Sequence, residues 1–304
     1  MRHTNKLSKL SAFAVAVLGM ASAHAAVSFD VVFNDPGQLY GSYYADITRN
    51  IVAAGDEWTS YFELPASNTT LTVNVGFASI ATANGGSTFS SYLSTNQDGL
   101  NIYEQGAANK LKTGLDENGA AADVTFNIGI DGYLQNELWF DPTPADLSDD
   151  VVPFDQTDAR SVFLHEFGHA LGFNGWRDGV TGNLPGNYAS VFDALTTLSG
   201  DTLVFTGANA QALYGGPVPI TLGNYTHLGN NDPLPGSNLI SDLMNGVVYY
   251  RGSRYTISEL DLAIMKDVGL PVITTSVPEP ESYALVFAGL AVARWARKRR
   301  HRTV

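Results

Sequence analysis

The segment His165-Glu166-Phe167-Gly168-His169 constrains the fold of this chain more than any other part of the sequence. Two histidines four residues apart lie on the same side of an α-helix, one turn from each other, so both rings can bind one metal ion. The helical pattern begins at Asp158 and runs to Leu171, and Gly172 can end the helix in the left-handed conformation. The sequence therefore predicts a helix over 158–171 that carries two metal ligands.

The glutamate between these histidines has a separate expected role. Glu166 lies on the flank of the histidine face, where its carboxylate reaches a water molecule on the metal but not the metal itself. Zinc lowers the pKa of its bound water toward ~7, and a neighbouring carboxylate can take the proton as that water attacks a carbonyl. Glu166 is therefore the predicted general base. The alternative interpretation of the motif is a helix with two surface histidines.

The histidine and cysteine content narrows the choice of a third ligand. The chain has six histidines and no cysteine, so any metal must be bound by imidazoles and carboxylates. His3 and His24 lie near the N-terminus and His301 lies near the C-terminus. In the body of the chain between these two ends, His227 is therefore the only histidine besides the two of the motif. Three protein ligands are typical of a catalytic zinc, whose fourth position holds water. We therefore predict a Zn²⁺ site formed by His227 and the two histidines of the motif.

Other residues compete for places in this site. Asp178 and Asp193 are alternative third ligands, because carboxylate oxygens also bind zinc. We prefer His227 because imidazole is the commonest neutral zinc ligand, although a lone histidine can also be a structural residue. Tyr249 and Tyr250 could donate a hydrogen bond to a developing oxyanion. The sequence favours a plainer interpretation of these two tyrosines, as aromatic residues of a strand.

From His165 onward the sequence resembles the metzincin zinc peptidases. Their motif continues as HExxHxxG with a third histidine three residues after the glycine; Gly172 matches, but Gly175 stands where that histidine would be. The leishmanolysin-like branch tolerates this difference by inserting a domain before its third histidine, which a methionine turn follows later. His227, followed by Met244, fits that arrangement. The resemblance implies that Met244 packs beneath the metal as an apolar floor.

Apolar periodicity adds a coarse fold prediction. It predicts four elements: a helix over 47–62, strands over 71–77 and 124–130, and a final helix up to 268 whose capping box is Thr256 to Glu259. A Gly/Ser/Asn-rich stretch over 83–119 has no assignable pattern. We expect an α+β fold over residues 26–275. The resemblance, which spans about residues 45–271, implies a zincin with a twisted mixed sheet, an active-site helix and a smaller C-terminal subdomain.

The N-terminal end of the chain has the features of an export signal. Arg2, Lys6 and Lys9 precede an apolar run over 10–20, and small residues follow up to Ala25. This order is typical of a secretory signal peptide, and the apolar run is shorter than the ~20 residues of a transmembrane helix. We predict that residues 1–25 are a signal peptide.

The C-terminal end resembles a sorting signal. Val277-Pro278-Glu279-Pro280 precedes an apolar stretch over 283–293, and a cluster of six basic residues follows it. This order resembles the PEP-CTERM signal of exported proteins in Gram-negative bacteria, which implies transient membrane contact and removal of residues 276–304 by an exosortase. The protein is therefore expected at the cell surface or outside the cell.

The charge of the body excludes one class of partner. Of 17 basic and 30 acidic residues, nine basic and two acidic ones lie in the two terminal segments, so the body carries a net charge near −20. Such a body repels nucleic acid, and the expected partners are protein or peptide substrates. We expect a secreted zinc-dependent endopeptidase. The alternative is a non-catalytic surface or matrix protein with a zincin fold and a structural metal.

Overall fold

The computed structural model describes residues 27–273, apart from 66–67, 118, 120–121, 147–150, 200–201, 230–238 and 248. The predicted signal peptide and sorting tail lie outside these residues. The helices are α1 Tyr44–Ser60, α2 Gly106–Thr113, α3 Ala159–Leu171, α4 Val191–Ala194, α5 Ala208–Tyr214 and α6 Glu259–Asp267. The strands are β1 Val27–Asn34, β2 Thr69–Ala78, β3 Ala83–Ser87, β4 Ser90–Thr95, β5 Asn101–Gln105, β6 Val124–Gly129, β7 Leu138–Trp139, β8 Thr157–Asp158, β9 Tyr188–Ser190, β10 Thr196–Ser199, β11 Thr202–Phe205 and β12 Val218–Pro219.

A four-stranded sheet in the order β1-β2-β6-β3 forms the centre of the fold. β1, β2 and β6 are parallel to one another, whereas β3 pairs antiparallel with β6 and forms an edge of the sheet. On β2, Leu71, Val73 and Val75 are buried and alternate with more exposed residues, as expected for a strand with one face on the core. The α+β prediction is confirmed.

Two helices pack together beside this sheet and hold the motif in place. α1 buries Ile47, Ile51 and Trp58 at the three- and four-residue spacing of an amphipathic helix. The indole nitrogen of Trp58 donates a hydrogen bond of 2.8 Å to the carbonyl oxygen of Leu164 in α3. All thirteen residues of α3 are buried, so this helix runs through the core. The predicted helices and strands at these positions are confirmed.

Several elements of the structure lie where the sequence predicted none. The unassigned stretch over 83–119 contains β3, β4, β5 and α2. β1 was not predicted either, although Phe29 lies between two polar residues and both Phe29 and Phe33 pair in register with β2. None of the helices in the described part of the chain is long and apolar enough to cross a membrane.

The predicted reason for the end of α3 is wrong. Gly172 has a φ of −167°, which is an extended and not a left-handed conformation. A Cβ atom at Gly172 would instead lie 2.7 Å from Met265 Sδ and 2.8 Å from Val268 Cγ2. The glycine is needed because the end of α6 packs directly against the backbone at the end of α3.

The predicted capping box of α6 is displaced by two residues. Ser258, and not Thr256, is the N-cap of this helix, and its hydroxyl accepts the backbone N–H of Asp261 at 3.0 Å. The Asp261 carboxylate accepts the backbone N–H of Ser258 at 2.8 Å in return. This reciprocal pair replaces the predicted pairing of Thr256 with Glu259.

Candidate metal centre

The three histidines predicted as ligands meet at one point of the structure. His165 and His169 are both 9% exposed on α3, and His227 lies in the loop after β12. Their Nε2 atoms form a triangle in which each side measures 3.0 Å. Among the described residues, these three are the one group of His, Cys, Asp or Glu side chains close enough to bind a shared metal ion. The interpretation of the motif as a helix with two surface histidines is therefore wrong.

The hydrogen bonds of the Nδ1 atoms determine which nitrogen of each ring carries the proton and which carries a lone pair. His165 Nδ1 lies 2.8 Å from the carbonyl oxygen of Leu243, and His169 Nδ1 lies 2.6 Å from that of Phe173. A carbonyl oxygen can only accept, so each Nδ1 carries the proton and each Nε2 of a neutral ring carries a lone pair. His227 can donate a proton to at most one of them. The triangle therefore brings together lone pairs that repel one another unless a cation lies among them.

The size of the triangle fits such a cation. Zinc–nitrogen bonds of ≈ 2.0–2.1 Å in a tetrahedral site place the ligand nitrogens about 3.3 Å apart. The observed separations of 3.0 Å are close to this value. The residues present can bind a metal ion.

Burial keeps the three rings neutral, which is the form that binds metal. Burial, followed by the neighbouring His169 ring, lowers the pKa of His165 to about 3. Burial lowers the pKa of His169 to about 4. The pKa of His227 is held well below its usual value by burial and by the two other rings. A metal therefore competes with few protons for these nitrogens near neutral pH.

A turn over residues 242–246, which we call the methionine turn, supports α3 from below. The carbonyl of Leu243 orients His165, as described above. Met244 is fully buried, and a Cβ atom at Gly168 would overlap its sulfur. Gly168 lies between the two histidines of α3, so its missing side chain lets Met244 pack directly beneath them. The structure thus places Met244 against α3 between the two histidines, and its role as an apolar floor beneath a metal stays a prediction of the resemblance.

The same turn also holds the third histidine. The backbone N–H of Leu228 donates to the carbonyl oxygen of Met244 at 2.8 Å, next to His227 in the chain. A Cβ atom at Gly246 would lie 2.6 Å from the Cβ of His227, so the glycine allows this close approach. Asp242 closes the turn by accepting the N–H of Met244 at 3.0 Å. The methionine turn thus fixes the helix and His227 relative to each other.

Glu166 lies beside the three histidines without joining them. The side chain is buried, and burial raises the pKa of its carboxyl to about 8, against a smaller lowering effect of the Gly85 backbone N–H. A Cβ atom at Gly85 would lie 2.8 Å from the Cβ of Glu166, so β3 passes directly over this residue. Glu166 can therefore hold or release a proton near neutral pH at the wall of the site.

A cavity of about 460 Å³ opens over the metal-binding nitrogens. Its lining includes Ala83, Asn84 and Gly85 of the edge strand, together with Gly246 and Tyr249. The three histidines, Glu166 and Asn174 also line it. A molecule larger than water can therefore reach the histidine nitrogens and the carboxylate together.

The two rival aspartates lie elsewhere and have structural roles. Asp178 is exposed and closes a turn by accepting the backbone N–H of Thr181 at 2.7 Å. Asp193 is buried and accepts the backbone N–H of Trp176 at 2.7 Å. A Cβ atom at Gly175 would overlap the Asp193 carboxylate, so a histidine at this position would have to displace that carboxylate. Neither aspartate belongs to the histidine group.

The two tyrosines have different environments, and neither lies in a strand. Tyr250 is 49% exposed. Tyr249 lines the cavity, packs edge-on against His165 with ring centroids 5.3 Å apart, and donates a 2.7 Å hydrogen bond to the Leu243 carbonyl. Tyr249 and His165 therefore share one acceptor. The prediction of two strand aromatics is wrong.

Sequence reasoning did not identify Asn174 and Gly85 as residues of the site. Asn174 belongs to no motif of the sequence, and Gly85 lies in the stretch that had no assignable pattern. Two contacts that only the structure shows connect them to the site: Gly85 lies against Glu166, and Gly86 lies next to Asn174.

Comparison with known proteins adds no relative to this description. No protein-family model, no curated protein and no solved structure matches the chain.

Proposed function

We propose that this protein is a zinc-dependent endopeptidase. The proposal depends above all on the triangle of Nε2 atoms, with sides of 3.0 Å, in which the Nδ1 protons of His165 and His169 are committed to carbonyl oxygens. Three neutral imidazoles suit zinc among the common metals of proteins. The absence of cysteine from the chain leaves imidazole as its softest donor apart from methionine sulfur.

The number of ligands and the cavity favour catalysis over a structural metal. Structural zinc is usually enclosed by four protein ligands, whereas a catalytic site has three and an open position. Within the described residues the group contains three histidines and no fourth ligand. The cavity of about 460 Å³ reaches the same nitrogens from the open side.

In the proposed hydrolysis, a bound metal and Glu166 have separate roles. A bound zinc ion would supply a Lewis acid that polarises the substrate carbonyl and acidifies water. Glu166 takes a proton from the attacking water on a carboxylate oxygen and delivers it to the nitrogen of the leaving amine. Its raised pKa, about 8, suits a group that must both accept and donate this proton near neutral pH.

The edge strand β3 supports a polypeptide as the substrate. β3 lies at the margin of the sheet, and its residues Ala83, Asn84 and Gly85 line the cavity. An extended peptide can add to such an edge through backbone hydrogen bonds and so carry a peptide bond past Glu166. A small ligand would have no use for a strand edge of this length.

The architecture also agrees with the resemblance to metzincins. A long buried helix carries the HExxH motif, an edge strand lies above it, and a methionine turn lies below the histidines. We therefore include the zincin fold in the proposal. Export by residues 1–25 and removal of residues 276–304 by an exosortase remain part of it, in a Gram-negative host.

Substitution of the base tests the proposal. Glu166→Gln keeps the size of the side chain and removes its basic oxygen, while the three histidines remain. We expect unchanged zinc content and a loss of casein hydrolysis by ~10²–10⁴-fold, the usual contribution of general acid–base catalysis. A chelator should abolish the activity of the wild type, and added zinc should restore it. A zinc-loaded wild type that cleaves no peptide would instead support the non-catalytic surface protein.

A further inference from the structure

Four aromatic side chains outside the cavity form a continuous surface. Tyr92, Tyr103, Trp176 and Tyr188 pack edge-to-face in a row, with neighbouring ring centroids 5.6 to 5.9 Å apart. We call them the aromatic surface. Tyr92 is 56% exposed and Tyr188 is 40% exposed, while the two central rings are half-buried. Edge-to-face packing leaves ring faces available to a further apolar group.

The register of a three-stranded sheet explains why these rings share one side. β4 and β5 pair so that Tyr92 lies opposite Tyr103, and β5 and β9 pair so that Asn101 lies opposite Tyr188. Residues two apart on a strand point to the same face, so Asn101, Tyr103 and Gln105 lie on the face that carries the tyrosines. The residues between them, Ile102 and Glu104, point to the other face.

This surface continues directly from the cavity. Asn174 lines the cavity and donates a 3.1 Å hydrogen bond from its amide to the Gln105 side chain. Trp176 lies two residues after Asn174, and Tyr103 lies two residues before Gln105. The rings of Trp176 and Tyr103 pack against each other. β5 therefore leads from Gln105, the partner of Asn174, to the ring of Tyr103 over about 7 Å, the length of two residues in an extended strand.

The course of β3 gives the direction of a bound peptide. β3 passes over Glu166 at Gly85 and next to Asn174 at Gly86. A peptide that pairs antiparallel with β3, the more stable arrangement, runs in the opposite direction. Its residues before the reacting bond therefore lie on the side of Asn174 and of the aromatic surface.

We propose that the aromatic surface is a subsite for an aromatic or large apolar side chain of a polypeptide substrate, two or three residues before the bond that is cleaved. This inference depends on the proposed function for the location of that bond. The binding itself depends only on the rings and on their continuity with the cavity. Trp176 is the specificity-determining residue, because it contacts both Tyr103 and Tyr188.

The test compares matched peptides that carry Phe or Ala at each of the three positions before the cleaved bond. For the wild type we expect kcat/KM to be roughly tenfold higher with Phe at one of the two outer positions. Trp176→Ala should reduce this preference to less than twofold, and Tyr92→Ser, on the exposed rim, should weaken it. Tyr214→Ser is the control, because Tyr214 is also 37% exposed but lies at the end of α5. The control should keep the wild-type preference.

Binding separates failure of the subsite from failure of the proposed function. Calorimetry with zinc-loaded Glu166→Gln and the same peptides should show the Phe preference, and the double variant with Trp176→Ala should lose it. If the wild type cleaves nothing but this binding pattern is found, the proposed function fails and the subsite stands. Equal binding of Phe and Ala peptides, a preference that persists in a folded Trp176→Ala protein, or binding of oligosaccharides without peptides would overturn the subsite. If Trp176→Ala does not fold, an unchanged preference in Tyr92→Ser has the same meaning.

Discussion

At the scale of single residues, His165 shows how the fold can orient a proposed metal ligand. Its Nδ1 proton is held by the Leu243 carbonyl, which Tyr249 also contacts through its hydroxyl. Its Nε2 lone pair therefore faces the two other histidines before any metal binds. The sequence predicted the ligand from its spacing, but the carbonyl that orients it lies 78 residues away and has no side-chain signature.

Asp261 illustrates how a buried acid can lower stability. Burial and the neighbouring Asp242 raise the pKa of its carboxyl well above the usual value, and one of its oxygens has no hydrogen bond partner. Protonation would turn that oxygen into a donor for Asp242. The folded protein therefore holds a proton that the unfolded chain releases above its usual pKa, and folding stability from this group is lost as pH rises.

We therefore expect the stability of Asp261→Asn relative to the wild type to increase as pH rises. The asparagine amide mimics the protonated acid without the cost of keeping a buried proton. Relative to the wild type, the free energy of unfolding of Asp261→Asn should be similar near pH 4.5 and should improve by pH 8. Urea unfolding of both proteins at the two pH values measures this difference. If the stability of the wild type instead increases relative to that of the variant as pH rises, the carboxyl is ionised in the folded state.

At the scale of elements, the start of α6 shows where a sequence pattern leaves two solutions. Thr256 with Glu259 and Ser258 with Asp261 both have the spacing of a capping box. The structure uses the second, in which the Ser258 hydroxyl also donates to Asp242 at 2.8 Å. A tertiary contact with the methionine turn thus decides between two local patterns that the sequence could not separate.

Two alanine substitutions test this choice. Ser258→Ala removes the N-cap and the contact to Asp242, and should lower the free energy of unfolding by about 1–2 kcal/mol. Thr256→Ala changes an exposed residue outside the cap and should stay within about 0.5 kcal/mol of the wild type. Both are measured by urea unfolding. A larger loss of stability in Thr256→Ala than in Ser258→Ala would support the capping box predicted from the sequence instead.

The edge strand β3 could not be predicted from the sequence, although it forms part of the site. Its sequence, Ala83 to Ser87, lacks the alternation of apolar and polar residues that signals a strand. The reason is contact with α3: a Cβ atom at Gly85 would overlap the Phe126 ring and lie 2.8 Å from the Glu166 Cβ. At Gly85 the strand approaches the helix so closely that no side chain fits, and this removes a position that could have contributed to a periodic signal.

Neighbouring glycines of β3 provide a matched test of this close approach. Gly85→Ala should destabilise the fold by about 1–3 kcal/mol, the usual cost of overpacking, and should lower proteolysis by displacing β3 from Glu166. Gly86→Ala brings its Cβ to an ordinary contact of 3.6 Å with Asn174 and should change stability by less than about 0.5 kcal/mol. Equal stability of the two variants in urea unfolding would contradict the packing described for Gly85.

At the scale of the whole molecule, the site joins parts of the chain that are far apart in sequence. α3 supplies two histidines, His227 lies 58 residues after His169, and the methionine turn contacts both. Counting histidines was enough to predict His227, because the body contains only three. The aromatic surface could not be predicted in this way, since its four rings meet only through strand register and the loop after α3.

Zinc content measures the central claim most directly, since every later step depends on the three histidines. The purified protein should contain one zinc ion per chain by mass spectrometry of the metal. His227→Ala should lose zinc as completely as His169→Ala, while Asp178→Ala, in a turn outside the site, should keep it. A His227→Ala protein that is folded and retains its full zinc, or a wild type that binds none from a zinc-containing buffer, would contradict the metal centre described here.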